Sequence, residues 1–296
     1  LLQAAEESGA NYLFEASVGG GIPIIRPLCQ CLAANYIEGI AGILNGTTNF
    51  ILTMMIEKGM SFDEALKIAQ EKGYAEKDPT ADVEGYDACR KVCILASLAF
   101  GKHVYPNQVE TEGITNITLE DVSYIENAGG VIKLLGQIKY ISDNEIAAFV
   151  SPAVVYNGSQ LASVKDVFNA ILVRGDAVGD VCFYGPGAGK LPTASAVVAD
   201  IIDCAKHSER KKIFGWGAGA EDYVVDYKER IEMPFYVRAK ATPAEINAKF
   251  SDVKFLSRKG QPSDEVAFIT DIMTENKLNK KLDGINVINT IKVTNY

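Results

Sequence analysis

The chain has 296 residues, room for about two domains. Its hydrophobic share of 48% and charged share of 23% describe an ordinary soluble globular protein. An excess of 38 acidic over 29 basic residues, net −9, argues against a nucleic-acid surface, and no apolar run reaches the roughly 18–20 residues that would cross a membrane.

In chain order, LLQAAEESGA predicts a helix ending at Gly9; with no Met and no signal peptide, the chain reads as entering mid-fold. Tyr12–Val18 predicts a strand, broken by Gly19, Gly20 and Gly21, and Pro23 suits the first turn of a helix running to about Ala34. Tyr36–Leu44 alternates like a strand and ends in the turn Asn45-Gly46-Thr47. Helix Thr48–Lys58 closes at Gly59, and the capping box of Ser61 and Glu64 starts another that stops at Gly73. A further helix spans Tyr86–Phe100. Gly129–Leu135 is apolar, and Gln137–Ile141, Ala147–Val155 and Val178–Tyr184 predict strands of a sheet. Gly185–Gly189 is a second glycine-rich loop, opening a helix from Pro192 to Lys206. Residues 208–232 read as a charged connector. Strands Pro234–Lys240, Val253–Ser257, Val266–Thr270 and Val287–Val293 alternate with helices Pro243–Phe250 and Glu275–Leu282. That β-α-β-β-α-β order predicts a ferredoxin-like unit over 233–296.

Chemistry concentrates in Gly73–Lys91, which holds Glu76, Asp78, Asp82, Glu84, Asp87 and Lys91. Asp87 and Lys91 stand four apart, so they share a helix face, and that face continues toward a core as Ile94, Leu95 and Leu98. Such a lysine is either a proton-transfer group or half of an ordinary ion pair at the edge of a core. Asp78, Asp82, Glu84 and Asp87 are either a magnesium site or, since their spacing matches no calcium loop, a solvated acidic loop, which that spacing favours. Gly185–Lys190 fails as a phosphate loop, since Tyr184 replaces the first glycine and Leu191 the Ser or Thr. Its glycines suit either a nucleotide contact or tight packing of the helix that follows. Glu15–Ile22 is either a tight turn or a ring of carbonyls around a cation. Six cysteines at no zinc spacing read as reduced, mostly buried thiols of a cytoplasmic protein.

Taken together, EASVGGGIPII (15–25), GILNGTTNFIL (42–52), GYAEKDPTADVEGYDACRK (73–91), NAILV (169–173) and GPGAGKLPTASAVVADI (185–201) resemble the homoserine dehydrogenase family, over about residues 1–205. The resemblance implies an α/β (α+β) protein. Remnants of a Rossmann-type nucleotide-binding domain (1–22 and 185–207) would flank a mixed-sheet catalytic and dimerisation domain (23–184). An ACT-like tail would follow. The implied reaction interconverts L-aspartate 4-semialdehyde and L-homoserine with NADP or NAD, on the route to threonine, isoleucine and methionine. By the same resemblance Lys91 would be the proton donor, oriented by Asp87. Glu76 would hold the substrate's amino group, Asp82 and Thr47 would border it, and Gly73 and Gly189 would approach the nicotinamide nucleotide. Glu15, Val18, Gly20 and Ile22 would bind a monovalent, sodium-like cation, mainly through backbone oxygens. The family's glycine-rich phosphate loop and a second active-site lysine are expected before Leu1, so the chain reads as a fragment with an incomplete cofactor site. The alternative is a non-catalytic amino-acid-binding or dimerisation module. A homodimer or homotetramer is implied, as is a threonine effector at the tail. There the usual glycine turn reads Ala241-Thr242-Pro243-Ala244, which leaves a purely dimerising tail equally open.

Overall fold

The structure is a computed structural model and describes residues 1–207, 209 and 214–296. Helix α1 (Leu2–Ser8) ends at Gly9 in the left-handed conformation. The strand expected at Tyr12–Val18 does not form. Its donors are used otherwise: the Glu15 N–H reaches the Asp200 carboxylate at 2.9 Å, and the Ser17 N–H closes a turn on Phe14, so Glu15–Ser17 is a single 3-10 turn. The helix expected from Pro23 to Ala34 is also shorter. It starts at Ile25 and ends in a π-turn, Pro27–Cys31, where the Leu32 N–H spans five residues to the Pro27 carbonyl.

Strand β1 (Ile37–Ile43) leads into α2 (Gly46–Lys58), capped by the Asn45 side chain, which accepts the Thr48 N–H. The Ser61–Glu64 capping box opens α3 (Phe62–Glu71). A short α4 (Thr80–Val83) turns at Gly85 (φ 82°) into α5 (Tyr86–Phe100), which stops at Gly101 (φ 76°). After β2 (Glu110–Thr111) comes α6 (Leu119–Asn127), absent from the sequence reading although Thr118 and Asp121 cap it reciprocally. The apolar run and the strand expected after it form one long β3 (Gly130–Ser142). It pairs in a hairpin with β4 (Glu145–Tyr156). Then follow β5 (Phe168–Gly175), β6 (Gly179–Pro186) and α7 (Lys190–Lys206). Positions 208 and 210–213 of the expected connector lie outside the described residues. Its later part holds α8 (Tyr227–Arg230) and β7 (Glu232–Met233). The tail runs β8 (Phe235–Lys240), α9 (Pro243–Lys249), β9 (Val253–Leu256), β10 (Glu265–Thr270), β11 (Met273–Thr274), α10 (Glu275–Leu282) and β12 (Asn286–Val293).

One mixed sheet organises these elements, in the order β6-β5-β1-β3-β4-β12-β8-β10-β9, with β2 beside β4. The tail's strands lie in the order fourth, first, third, second, all antiparallel. The sheet passes from β4 to the tail through a short parallel ladder, Lys292↔Ala153 and Val293↔Val154. Alternation along β3 divides the core: Leu134 joins the cluster under α2, α3, α5 and α6, whereas Leu135 joins one on the opposite face. A third cluster, including Ile246, Leu278 and Phe268, fills the space between the tail's helices and its strands.

The long β3 also buries Lys133, which is 2% exposed. Its amine donates to Asn49 Oδ1 (3.0 Å) and to the Val164 carbonyl. Asn49 in turn donates to the carbonyls of Val164, Asp166 and Phe168, tying α2 to the segment that enters β5.

Candidate active site

A cleft of about 580 Å³ opens where the starts of α2, α5 and α7 meet. From α2 and its cap come Asn45, Gly46 and Thr47; Gly73, Tyr74, Glu76 and Asp78 come from the loop after α3. Asp82 comes from α4, Asp87, Arg90 and Lys91 from α5, and Gly187, Ala188 and Gly189 from the loop before α7. The cleft thus gathers Thr47, Gly73, Glu76, Asp82, Asp87, Lys91 and Gly189, residues up to 142 positions apart in the chain.

Lys91 is the most constrained of them. Its ammonium lies 2.6 Å from Asp87 Oδ2, one helical turn earlier, and donates to the Leu44 carbonyl at 2.8 Å. Asp87 occupies the first turn of α5, where a carboxylate also meets the positive end of the helix dipole. The Asn45 side chain donates to Asp82 Oδ1 (2.7 Å) and Asp87 Oδ2 (3.0 Å). Burial, followed by the neighbouring Asp87 charge, raises the Asp82 acid above the ordinary carboxylate range, against the hydrogen bond from Asn45. The Thr47 hydroxyl donates to the Tyr74 carbonyl (2.7 Å), pinning the Gly73–Glu76 loop to α2. Glu76 is exposed at the rim, and among the described residues its carboxylate has no partner. α4 is braced from behind: the Ile114 N–H bonds to the Val83 carbonyl, and a Cβ on Gly113 would come within 2.2 Å of that oxygen.

The four residues expected at a cation do not line this cleft. They lie behind the α7 loop, where a Cβ on Gly20 would come within 2.3 Å of the Gly187 carbonyl. The Glu15 carboxylate is committed: it accepts from the N–H groups of Ile24, Ile25 and Arg26 and from Arg26 Nε, and Arg26 also pairs with Asp200 at 2.7 Å. Among the described residues, the backbone oxygens of that loop and the exposed Ser17 hydroxyl remain for an ion. Among the described residues no group of three or more His, Cys, Asp or Glu side chains is arranged to hold a metal.

A family model described as Homoserine dehydrogenase matches residues 23–202, which contain the whole cleft. The chain belongs to the homoserine dehydrogenase family. The homoserine dehydrogenase of Synechocystis is 50% identical over 206 residues, 69% of this chain and 48% of that protein. A homoserine dehydrogenase crystal structure from Thiobacillus denitrificans superposes with a TM-score of 0.87 at 37% identity, covering 99% of this chain and 72% of that one. A hyperthermophilic archaeal homoserine dehydrogenase mutant in complex with NADPH matches at a TM-score of 0.58 and 32% identity, covering 69% of this chain and 59% of that one. The chain spans about half the length of the curated relatives it matches.

Asn45, Arg90 and Asp200 are among the polar residues of this region that the sequence reading passed over. Asn45 stood inside a turn signal, and Asp200 lay on a helix face whose neighbours are small and apolar.

Proposed function

We propose that the chain carries the substrate and proton-transfer half of a homoserine dehydrogenase, interconverting L-aspartate 4-semialdehyde and L-homoserine. The observation that supports this most is the Lys91 ammonium, held by Asp87 and the Leu44 carbonyl on the wall of a cleft also lined by glycine backbones. Two of its three hydrogens are taken, so one remains for a substrate oxygen. In reduction, Lys91 Nζ passes a proton to the oxygen of the aldehyde as it gains charge, and Asp87 keeps the ammonium aimed and compensated. The exposed Glu76 carboxylate receives the substrate's α-ammonium, and Thr47 and Asp82 border the rest of it.

The residues present fit the nicotinamide end of NADP or NAD. Gly73 lines the cleft at φ 74°, with nothing within 4 Å of an added Cβ, and Gly187 and Gly189 line it beside α7. The cofactor supplies the hydride when bound. A monovalent cation is proposed at the backbone oxygens of Glu15, Val18, Gly20 and Ile22, a reading supported by the positive φ of Gly19 (72°) and Gly20 (55°), which lets the loop turn tightly enough for carbonyls to converge. The strand order of the tail supports an ACT-like unit, with threonine the effector to titrate and a homodimer the assembly to weigh. Of the six cysteines, expected to be mostly buried, only Cys89 and Cys93 are, whereas Cys31 and Cys182 are exposed; exposed free thiols fit a reducing, cytoplasmic setting.

The test is Lys91→Ala in the NADPH-dependent reduction of aspartate semialdehyde, with this chain joined to a nucleotide-binding half as in the relatives it matches. Turnover is expected to fall by about 100-fold or more while cofactor affinity, read by fluorescence quenching, stays within about twofold. Normal turnover with lost cofactor binding would sink the assignment.

A further inference from the structure

Asn45 is 6% exposed, and each polar atom of its side chain is engaged. Oδ1 accepts from the Thr48 N–H (2.9 Å) and the Thr48 hydroxyl (3.0 Å) at the start of α2. Nδ2 gives one hydrogen to Asp82 on α4 and the other to Asp87 on α5. A single amide therefore joins three helices at the point where two carboxylates approach each other. The preceding carbonyl, Leu44 O, holds Lys91. Asp87 Oδ2 takes both Lys91 and Asn45, which leaves Oδ1 outside these contacts.

We propose that Asn45 is a positioning residue for proton transfer in this cleft: its amide holds Asp82 and Asp87 in place and fixes the Leu44 carbonyl, leaving Lys91 one hydrogen to direct at the ligand. The proposal rests on the reading of Lys91 as proton donor. It accounts for Asn rather than any other capping residue. Asp and Ser cap helices as well as Asn does, so α2 alone does not require an amide. Only Asn or Gln provides an acceptor for the cap and two donors for two carboxylates, and Gln is one methylene too long for that cap. With the donors removed, the two carboxylates face each other with Lys91 as the close cation among the described residues. The remaining groups around Asp82 are Thr47 from α2 and, along the same cleft, Glu76, Asp78 and Arg90.

Two variants keep the cap and remove the donors: Asn45→Ser, which adds no charge, and Asn45→Asp, which adds a third carboxylate. Circular dichroism and thermal unfolding check that both remain folded. Carboxyl-carbon NMR on the labelled 296-residue chain then follows the titration of Asp82. Its midpoint is expected to rise by about one unit in Asn45→Ser, the worth of one hydrogen bond to a charged group, and further in Asn45→Asp. A role confined to capping α2 leaves the Asn45→Ser midpoint where it was, and Asn45→Asp then shows only the repulsion of its added charge. Homoserine binding by calorimetry, wild type against Lys91→Ala, runs in parallel. An unchanged Asp82 midpoint in Asn45→Ser, in a chain whose homoserine binding depends on Lys91, overturns the role of Asn45 alone. Homoserine binding indifferent to Lys91→Ala overturns the reading of the cleft, and the proposal with it.

Discussion

Replacing Lys133 by Met tests how a charged side chain is tolerated in the middle of β3. Burial is the main force on its amine, Lys165 adds to it, and Glu57 and Asp166 oppose; together they push the amine from its ordinary 10.5 down to about 8. In the unfolded chain it returns to about 10.5. Between these values the unfolded state binds more protons than the folded one, so stability rises with pH; below about pH 8 both states are charged and the full cost of burying the charge is present. Integrating from pH 7 to pH 9, wild type gains about 1.3 kcal/mol from this one group. Lys133→Met keeps the length of the side chain and removes the titration, while depriving Asn49 Oδ1 and the Val164 carbonyl of a donor. Each lost hydrogen bond costs about 1 kcal/mol or more, offsetting at neutral pH much of what is gained by removing the charge. The variant is thus expected to lie near wild type at pH 7 and to fall behind by about a further 1.3 kcal/mol at pH 9. Urea unfolding of both proteins at pH 7, 8 and 9 reads this directly, since other titrating groups cancel in the difference. A wild-type-minus-variant difference that stays flat to about 0.3 kcal/mol across that range would refute the account of Lys133 as a buried, proton-shedding amine.

Two other substitutions probe the frame of the site. Gly187→Ala places a Cβ 2.2 Å from the buried amide of Asn169; the resulting displacement of the α7 loop is expected to lower stability by about 1–3 kcal/mol, with urea unfolding as the measurement. Arg238→Met removes the cation lying 3.0 Å from the fully buried Asp121 and 3.7 Å from Glu265; a loss of about 3–5 kcal/mol is expected, against little change if that pair contributed nothing.

What could be read from the sequence was local. Helix α5 was found to the residue because Gly85 and Gly101 bracket an unbroken apolar pattern, and α3 because Ser61 and Glu64 form a complete capping box. The tail's β-α-β-β-α-β order followed from alternating periods of two and 3.6 residues. Long-range pairing was hidden. Tyr12–Val18 has the composition of a strand, but a strand is made by its neighbours, and here Asp200 takes the N–H of Glu15 instead. Helix α6 escaped because its cap pairs Thr118 with Asp121, a weaker signal than Glu or Gln. Lys133 went unremarked inside a run read simply as apolar, and its partners lie 84 and 31 residues away. Within the cleft, side chains carrying charge could be picked out by comparison with a family. Asn45, which joins two of them, looked like part of an ordinary turn.

The short ladder between β12 and β4 has a bearing on how the chain tolerates cutting. Most of β4 is buried, and its outer edge is covered piecemeal: β2 meets it at Phe149 and Val150, and β12 at Ala153 and Val154. A protein trimmed after Met233 would keep every residue of the cleft but leave part of an apolar, twelve-residue strand with an open row of donors and acceptors. Such an edge templates pairing with other chains. The tail's last strand therefore covers an edge that would otherwise be open to other chains, and its removal is expected to show first as precipitation rather than as a change in chemistry.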